Sequence, residues 1–298
     1  MILIETVKEL RAWRKSAGHV VFVPTMGALH EGHASLVRDA RQMAGSSAQV
    51  AASVFVNPLQ FGPNEDFESY PRTRVADLAL CETSGADLVF APTMIEVYHT
   101  DRSVKISESS LSNVLCGTSR PGHFDGVCTV VAKLFNLLQP DEAVFGKKDY
   151  QQLAIIKRLV RDLDIPVLIH GVETVRESDG LAMSSRNRYL STAERAQAPV
   201  LRAALLAAKD AWQHGVTGAG DLTALIHEHL ISQANLGRQD YITLVDQQSL
   251  QPLQIAHGRS LIALAVFFDK ARLIDNIELT WPVAEQVSPH SSNTASDR

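Results

Sequence analysis

The chain has 298 residues, with 28 Lys or Arg against 33 Asp or Glu and a formal net charge of −5. Apolar residues make up 45% and charged residues 20%, a globular balance with material for one large domain or two ordinary ones. Without a basic run or excess, nucleic acid and membrane surfaces are not expected partners. The longest apolar stretch, Leu261 to Phe268, is far too short to span a membrane, and Met1 to Glu5 lacks the features of a secretory leader.

Taken in chain order, Val20-Val21-Phe22-Val23 is a short β-branched run ending at Pro24, which predicts a buried parallel strand. It feeds Thr25 to His33 and then a helix with Leu36, Val37 and Ala40 on one face. Val50 to Val56 predicts a second buried strand, broken by Asn57-Pro58, and Asp87 to Pro92 a third. Val127, Val130, Val131, Leu134, Leu137 and Leu138 keep helical spacing up to Pro140. Ala143-Val144-Phe145 predicts another strand, followed by a turn at Gly146 and a helix carrying Leu153, Ile156 and Leu159. Val167-Leu168-Ile169 starts the next strand.

Strands alternating with helices predict an α/β fold, a Rossmann-like, doubly wound parallel sheet over residues 1–176. After Arg176 the pattern changes. Thr192 to Trp212 reads as one Ala- and Leu-rich helix and Leu222 to Leu236 as another, with strands at Tyr241 to Val245 and Leu261 to Phe268. This predicts a smaller α+β domain over 177–284. The Ser-rich stretch 285–298 has no apolar periodicity, and a disordered tail is expected there. Cys81, Cys116 and Cys128 are odd in number and lack metal spacing, so reduced thiols and a cytoplasmic setting are expected.

Three segments carry the chemistry. His30-Glu31-Gly32-His33 stands between a predicted strand and helix, where backbone N–H groups and the helix dipole favour an anion. Two imidazoles there can donate to phosphate oxygens as charge builds during attack, and Gly32 allows a phosphate or a ring to approach closely. A zinc pair or a plain helix cap are the competing readings of the tetrapeptide alone. Met183-Ser184-Ser185-Arg186 at the domain junction sets two hydroxyls beside a guanidinium, suited to the β- and γ-phosphates and a leaving pyrophosphate. Gly146-Lys147-Lys148-Asp149 again runs from strand to helix; Lys148 can face an α-phosphate and Asp149 ribose hydroxyls, although the spacing is not that of a Walker A loop. Asn57 and Gln60 beside aromatic residues, with Arg120-Pro121-Gly122-His123, suit a small hydroxylated substrate. Together the segments point to ATP-dependent activation of a carboxylate as an acyl-adenylate. The alternative is a nucleotidyltransferase of the same His-x-Gly-His type acting on a phosphate group, which would want Arg or Lys in place of Gln60 and Gln152.

The chain resembles the pantoate–β-alanine ligase family from about Ile4 to Asn276. The likeness rests on Pro24 to Gly27 with His30 to His33, Phe55 to Phe61, Tyr70 to Thr73, Arg120 to Val127, Lys133 to Asn136, Gly146 to Leu153, Asp179 to Asn187, and Arg272 to Asn276. The resemblance implies a homodimer using Mg²⁺ and ATP to join pantoate to β-alanine through a pantoyl-adenylate. It implies a nucleotide site of Met26, Gly27, Ala28, Leu29, His30, Glu31, Gly32, His33, Gly146, Lys147, Lys148, Asp149, Val175, Met183, Ser184, Ser185 and Arg186. His33 is the residue such a family marks as catalytic, assisted by His30, Lys148 and Arg186; Gln60 and Gln152, with Asn57 and Arg120, would hold substrate. Two positions depart from the family pattern: Lys147 where Glu is common, its side chain expected to point away from the nucleotide, and Leu59 where Met is common.

Overall fold

The computed structural model describes residues 1–63 and 65–280; the expected tail lies outside them. Six strands, β1 (Ile2–Ile4), β2 (Val20–Thr25), β3 (Gln49–Val54), β4 (Leu88–Phe90), β5 (Glu142–Gly146) and β6 (Leu168–Val172), form one sheet in the order β1-β4-β3-β2-β5-β6. Every pair in it is parallel.

The buried β-branched runs are explained by this sheet having helices on both faces. Along β2, Val20 and Phe22 join a core with helices His123–Leu138 and Tyr150–Asp162. Val21 and Val23 point the other way, to the helix Glu31–Ala44. The strand runs through Pro24, where the sequence had suggested its end, because pairing with β5 stops at Phe22 while pairing with β3 continues to Thr25. The missing N–H thus falls where no ladder bond is needed.

The smaller unit holds an antiparallel sheet of β7 (Arg238–Asp246), β8 (Ser260–Phe268) and β9 (Ala271–Leu279). One face packs under helices Val200–Gln213 and Ala219–Gln233 around Trp212. The other face contributes Val245, Leu261 and Ala263 to the core of the large sheet's unit, with Tyr241 and Ile274 packed against it. One further expectation needs correction. The helix expected over Thr192 to Trp212 is two, Thr192–Gln197 and Val200–Gln213, because Pro199 has no N–H to continue the first and its fixed φ suits the start of the second. The sequence reading also passed over β1 and β9. Among the described residues no helix is long and apolar enough to cross a membrane.

Trp212 is 0% exposed in the smaller unit's core. Trp212→Ala is expected to destabilise the protein by about 3–5 kcal/mol, read as a shift in the midpoint of chemical denaturation.

Candidate active site

Between β2 and β5 the sheet order changes direction, and ligands in such sheets bind at the carboxyl ends of the strands flanking that point. From β2 the chain enters helix Glu31–Ala44 through His30; from β5 it enters helix Tyr150–Asp162 through Lys147–Asp149. The sequence motifs therefore meet at the switch point.

His30 is the N-cap of its helix. Its Nδ1 accepts from the Gly32 N–H at 3.1 Å, while His33 Nδ1 accepts from the His30 N–H at 3.3 Å. The two rings lie 4.1 Å apart, tilted by 45°. This reciprocal cap uses imidazole where Ser and Glu usually serve. With both Nδ1 atoms accepting, the neutral rings carry their protons on Nε2, leaving two N–H donors for a ligand. The cap also explains Gly32: a Cβ there would stand 2.9 Å from His30 Cε1. The ring that must approach closely is His30's own.

Charge is held off these rings. Burial first, then the positive charges of Lys148 and Arg188, lowers His30 to about 4. Burial, His30 and Lys148 lower His33 to about 3. A protonated Nδ1 would also confront a backbone N–H. The pair is therefore a set of neutral donors at pH 7.

A buried carboxylate fixes the approach to the cap. Asp77, 2% exposed, accepts from the Ala28 N–H at 3.1 Å and the Leu29 N–H at 2.8 Å, with the Thr73 hydroxyl at 3.0 Å. Gly27 and Ala28 hold φ of 85° and 51° there, and a Cβ on Gly27 would meet Asp77 Oδ2 at 3.0 Å.

Asn57 is a second clamp. Its Nδ2 donates to Gln60 Oε1 at 3.0 Å and to the Gly126 carbonyl at 3.1 Å. Its Oδ1 accepts from the Tyr98 hydroxyl at 2.9 Å and the Leu59 N–H at 3.3 Å. That amide is committed to protein partners and orients Gln60, whose Nε2 approaches Met26 Sδ at 2.9 Å. Gly126 lets the helix His123–Leu138 press on this turn; a Cβ would lie 2.2 Å from the Leu59 carbonyl oxygen.

A cavity of about 230 Å³ opens here, bounded by Met26, His30, Gly32, His33, Asn57, Gln60, Gly146, Lys148, Asp149, Gln152 and, across the cleft, Val175, Met183, Ser184, Ser185 and Arg186. A second cavity of about 380 Å³ runs beneath the smaller sheet and shares Arg120, His123, Lys148, Asp149, Gln152, Ser184 and Arg186 with the first. Only the smaller one reaches the histidine pair. Gly27, Ala28, Leu29 and Glu31 do not line it, and Glu31 pairs with Arg38 at the surface. Lys147 lines neither cavity; its ammonium lies on Glu173 and Glu278. Arg120 makes a two-pronged bond to Glu65 at 2.6 and 2.5 Å, and Arg186 reaches Asp66 at 3.1 Å.

The sequence profile described as pantoate-beta-alanine ligase matches residues 2–278. The chain belongs to the pantoate–β-alanine ligase family. A pantothenate synthetase of Akkermansia muciniphila is 53% identical over 264 residues, covering 88% of this chain and 92% of the relative. A pantothenate synthetase crystal structure from Thermus thermophilus superposes with a TM-score of 0.89 at 47% identity, covering 94% of this chain and all of that one. A pantoate-beta-alanine ligase from Francisella tularensis, complexed with beta-gamma ATP and beta-alanine, gives 0.75 at 34% identity over 93% of this chain and 97% of that one. Both the parallel sheet and the smaller antiparallel unit are thus those of a ligase of this family, an AMP-forming carbon–nitrogen ligase.

Several residues that build this ligase's cleft escaped the sequence reading. Asp77 is a single acid in an ordinary helix, and nothing local marks it. His123 was seen only as part of a segment; its Nδ1 lies 2.7 Å from the Gln60 carbonyl and its Nε2 3.0 Å from Arg120 Nη1. Burial, then Arg120, lowers it to about 4. Glu65 and Asp66 also face the cleft, as does Tyr70, which the sequence offered only within the Tyr70 to Thr73 segment.

A histidine protonated less readily when folded than when unfolded removes stability as pH falls from its unfolded value toward its folded one. For His30, His33 and His123 that window runs from 6.5 to between about 4 and 3. The ring resonances of all three are expected to stay flat between about pH 8 and pH 5, and thermal stability to fall below about pH 6. An NMR titration checks the first and melting curves the second; a ring titrating near 6.5 would contradict the neutral cap.

Proposed function

We propose that ATP binds in the smaller cavity with its α-phosphate before the His30–His33 cap, and that pantoate lies beside it on Gln60 and Gln152. The observation that carries this reading is the cap itself, two outward Nε2–H donors at a helix N-terminus, in one cavity with Lys148, Arg186 and two neutral glutamines. The pantoate carboxylate is the nucleophile, so no Ser or Cys nucleophile is required. Its oxygen forms a bond to the α-phosphorus as the bond to the bridging oxygen breaks. Pyrophosphate leaves toward Ser184, Ser185 and Arg186, while His30, His33 and Lys148 donate to the crowded α-phosphate oxygens. The β-alanine amine, after losing a proton, attacks the acyl carbon; the C–N bond forms, the acyl–oxygen bond breaks, and AMP departs with pantothenate.

Neutral amides at Gln60 and Gln152 support a hydroxy acid rather than a phosphorylated substrate in this subsite. No side-chain hydrogen bond engages Gln152 among the described residues, which leaves its amide for a ligand. Asn57 is read as acting through Gln60, and Arg120 as reaching substrate only when Glu65 lets go. Mg²⁺ supplies charge to the phosphates when bound; among the described residues no three His, Cys, Asp or Glu side chains gather to hold a bare ion, which fits a cation carried in on the nucleotide, with Asp149 the carboxylate at hand. A homodimer and a cytoplasmic setting belong to the same reading.

If adenylation precedes amine attack, labelled pyrophosphate exchanges into ATP with pantoate alone and not with β-alanine alone. His33→Ala is expected to slow that exchange by about 10²–10³ with the fold intact. Gln60→Ala or Gln152→Ala is expected to raise the pantoate requirement, each at a cost of about 0.5–1.5 kcal/mol, with direct ATP binding near normal. Exchange that demands β-alanine would contradict a separate adenylate step, and exchange driven by a phosphate ester would point to a nucleotidyltransferase.

A further inference from the structure

Lys147 follows β5 directly, one residue before Lys148. Its ammonium stands 2.5 Å from Glu173 Oε1 and 2.8 Å from Glu278 Oε2. Glu173 lies just past β6, where the chain leaves the large sheet; Glu278 lies on β9 of the smaller one. One cation therefore joins three separate parts of the chain across the boundary between the two units. Its side chain is 24% exposed and that of Glu278 27%, against 80% for Glu173, so the contact to the smaller sheet is the shielded one and the stronger.

The same short turn is gripped a second time. Asn276, also on β9, donates from Nδ2 to the carbonyls of Lys147 and Lys148, both at 3.0 Å. The turn that carries Lys148 and Asp149 to the throat shared by the two cavities is thus held by the smaller unit from its side chain and its backbone. Among the described residues Lys148 has only Asp149, at 3.8 Å, as an ion partner, so backbone position decides where its ammonium stands. The stem of Lys147 runs past Gly171, where a Cβ would come within 3.5 Å of its Cγ, and this keeps the ammonium pointed away from the cleft.

We propose that Lys147 is a positioning residue, an interdomain latch that sets the smaller unit against the turn bearing Lys148 and so fixes the width of the nucleotide cleft. This rests on the reading of that cleft as the ATP site. The latch depends on charge: Glu at this position would place three carboxylates together and push the smaller unit away.

The test uses full-length protein with spin labels on Lys157→Cys and Glu228→Cys, one exposed site in each unit, and steady-state kinetics on the unlabelled variants. Lys147→Glu is expected to lengthen and broaden the interlabel distance and to raise the nucleotide KM about tenfold, and Lys147→Met about threefold. Lys147→Glu combined with Glu278→Lys restores opposite charges and is expected to bring both readouts back to within about twofold of the parent. Lys147→Met keeps the question answerable if the charge reversal alone prevents folding. A KM change with an unchanged distance, or no recovery in the double reversal, would mean that Lys147 touches the nucleotide or does nothing, and the latch would be wrong. The distance arm needs no turnover, so a failed assignment of the ATP site shows up separately, as a parent protein whose interlabel distance is as described but which does not bind ATP in a direct binding measurement.

Discussion

Two backbone N–H groups at the start of one helix have no partner in the helix itself, and histidine side chains take both. That substitution governs the rest of the cleft. A Ser–Glu box would satisfy the same donors but would put a carboxylate where the proposed triphosphate lies. With imidazole, the atom that accepts from the backbone and the atom that faces the ligand belong to one rigid ring, so satisfying the helix end also aims the donor. The requirement then propagates. Residue 32 must lack a Cβ, because His30 folds back over it. Residues 27 and 28 must turn through positive φ to bring His30 off the end of β2. Asp77 must reach in from another helix to hold the two N–H groups which that turn exposes.

The Asn57–Gln60 side of the cleft is held by the same logic of filled hydrogen-bond capacity. Every polar atom of the Asn57 amide is spent on Gln60, Gly126, Leu59 and Tyr98. Because Asn57 is 1% exposed, losing any of these bonds would leave a buried polar group unpaired, and the geometry of Gln60 is correspondingly stiff. The cost is that Gln60 arrives with its carbonyl oxygen already used, so its contribution to a ligand is the amide nitrogen.

How much of this was legible in sequence depended on whether a residue's role left a local trace. Strands β2 to β5 did, as apolar runs buried on both faces. β1 did not, since Ile2–Ile4 is a three-residue edge strand. β9 was hidden by a break in its alternation: Arg272, Asn276 and Glu278 alternate with Leu273, Ile277 and Leu279, but apolar Ile274 sits on the polar face and buried Asp275, bonded to Arg176, on the apolar one, and that inversion masks the period of two. The motif residues at the switch point could be named because strand-to-helix junctions limit where a ligand goes. Asp77 could not, because a buried carboxylate bonding to a distant loop looks in sequence like any helical acid. The break at Pro199 was legible by rule and was overridden by the Ala- and Leu-rich run around it.

Charge in the cleft is less than its residue list suggests. Arg120 is bound to Glu65, Arg186 to Asp66, Arg272 to Asp240 and Arg176 to Asp275. The histidines are neutral, and Lys147 is turned outward to its own acids. Lys148 is the cation least committed to an acid among those lining the smaller cavity. On the proposed reading, an anionic ligand entering there would exchange carboxylate partners at Arg120 and Arg186 instead of meeting bare cations, which would moderate how tightly a ground-state triphosphate is held. On the proposed reading the neutral Nε2–H donors behave differently, since their interaction would strengthen with the charge added to the α-phosphate oxygens as it is attacked. Binding energy is thereby weighted toward the transition state. A fixed array of unpaired arginines in place of this arrangement would tighten substrate and transition state alike and leave the rate of the chemical step unchanged.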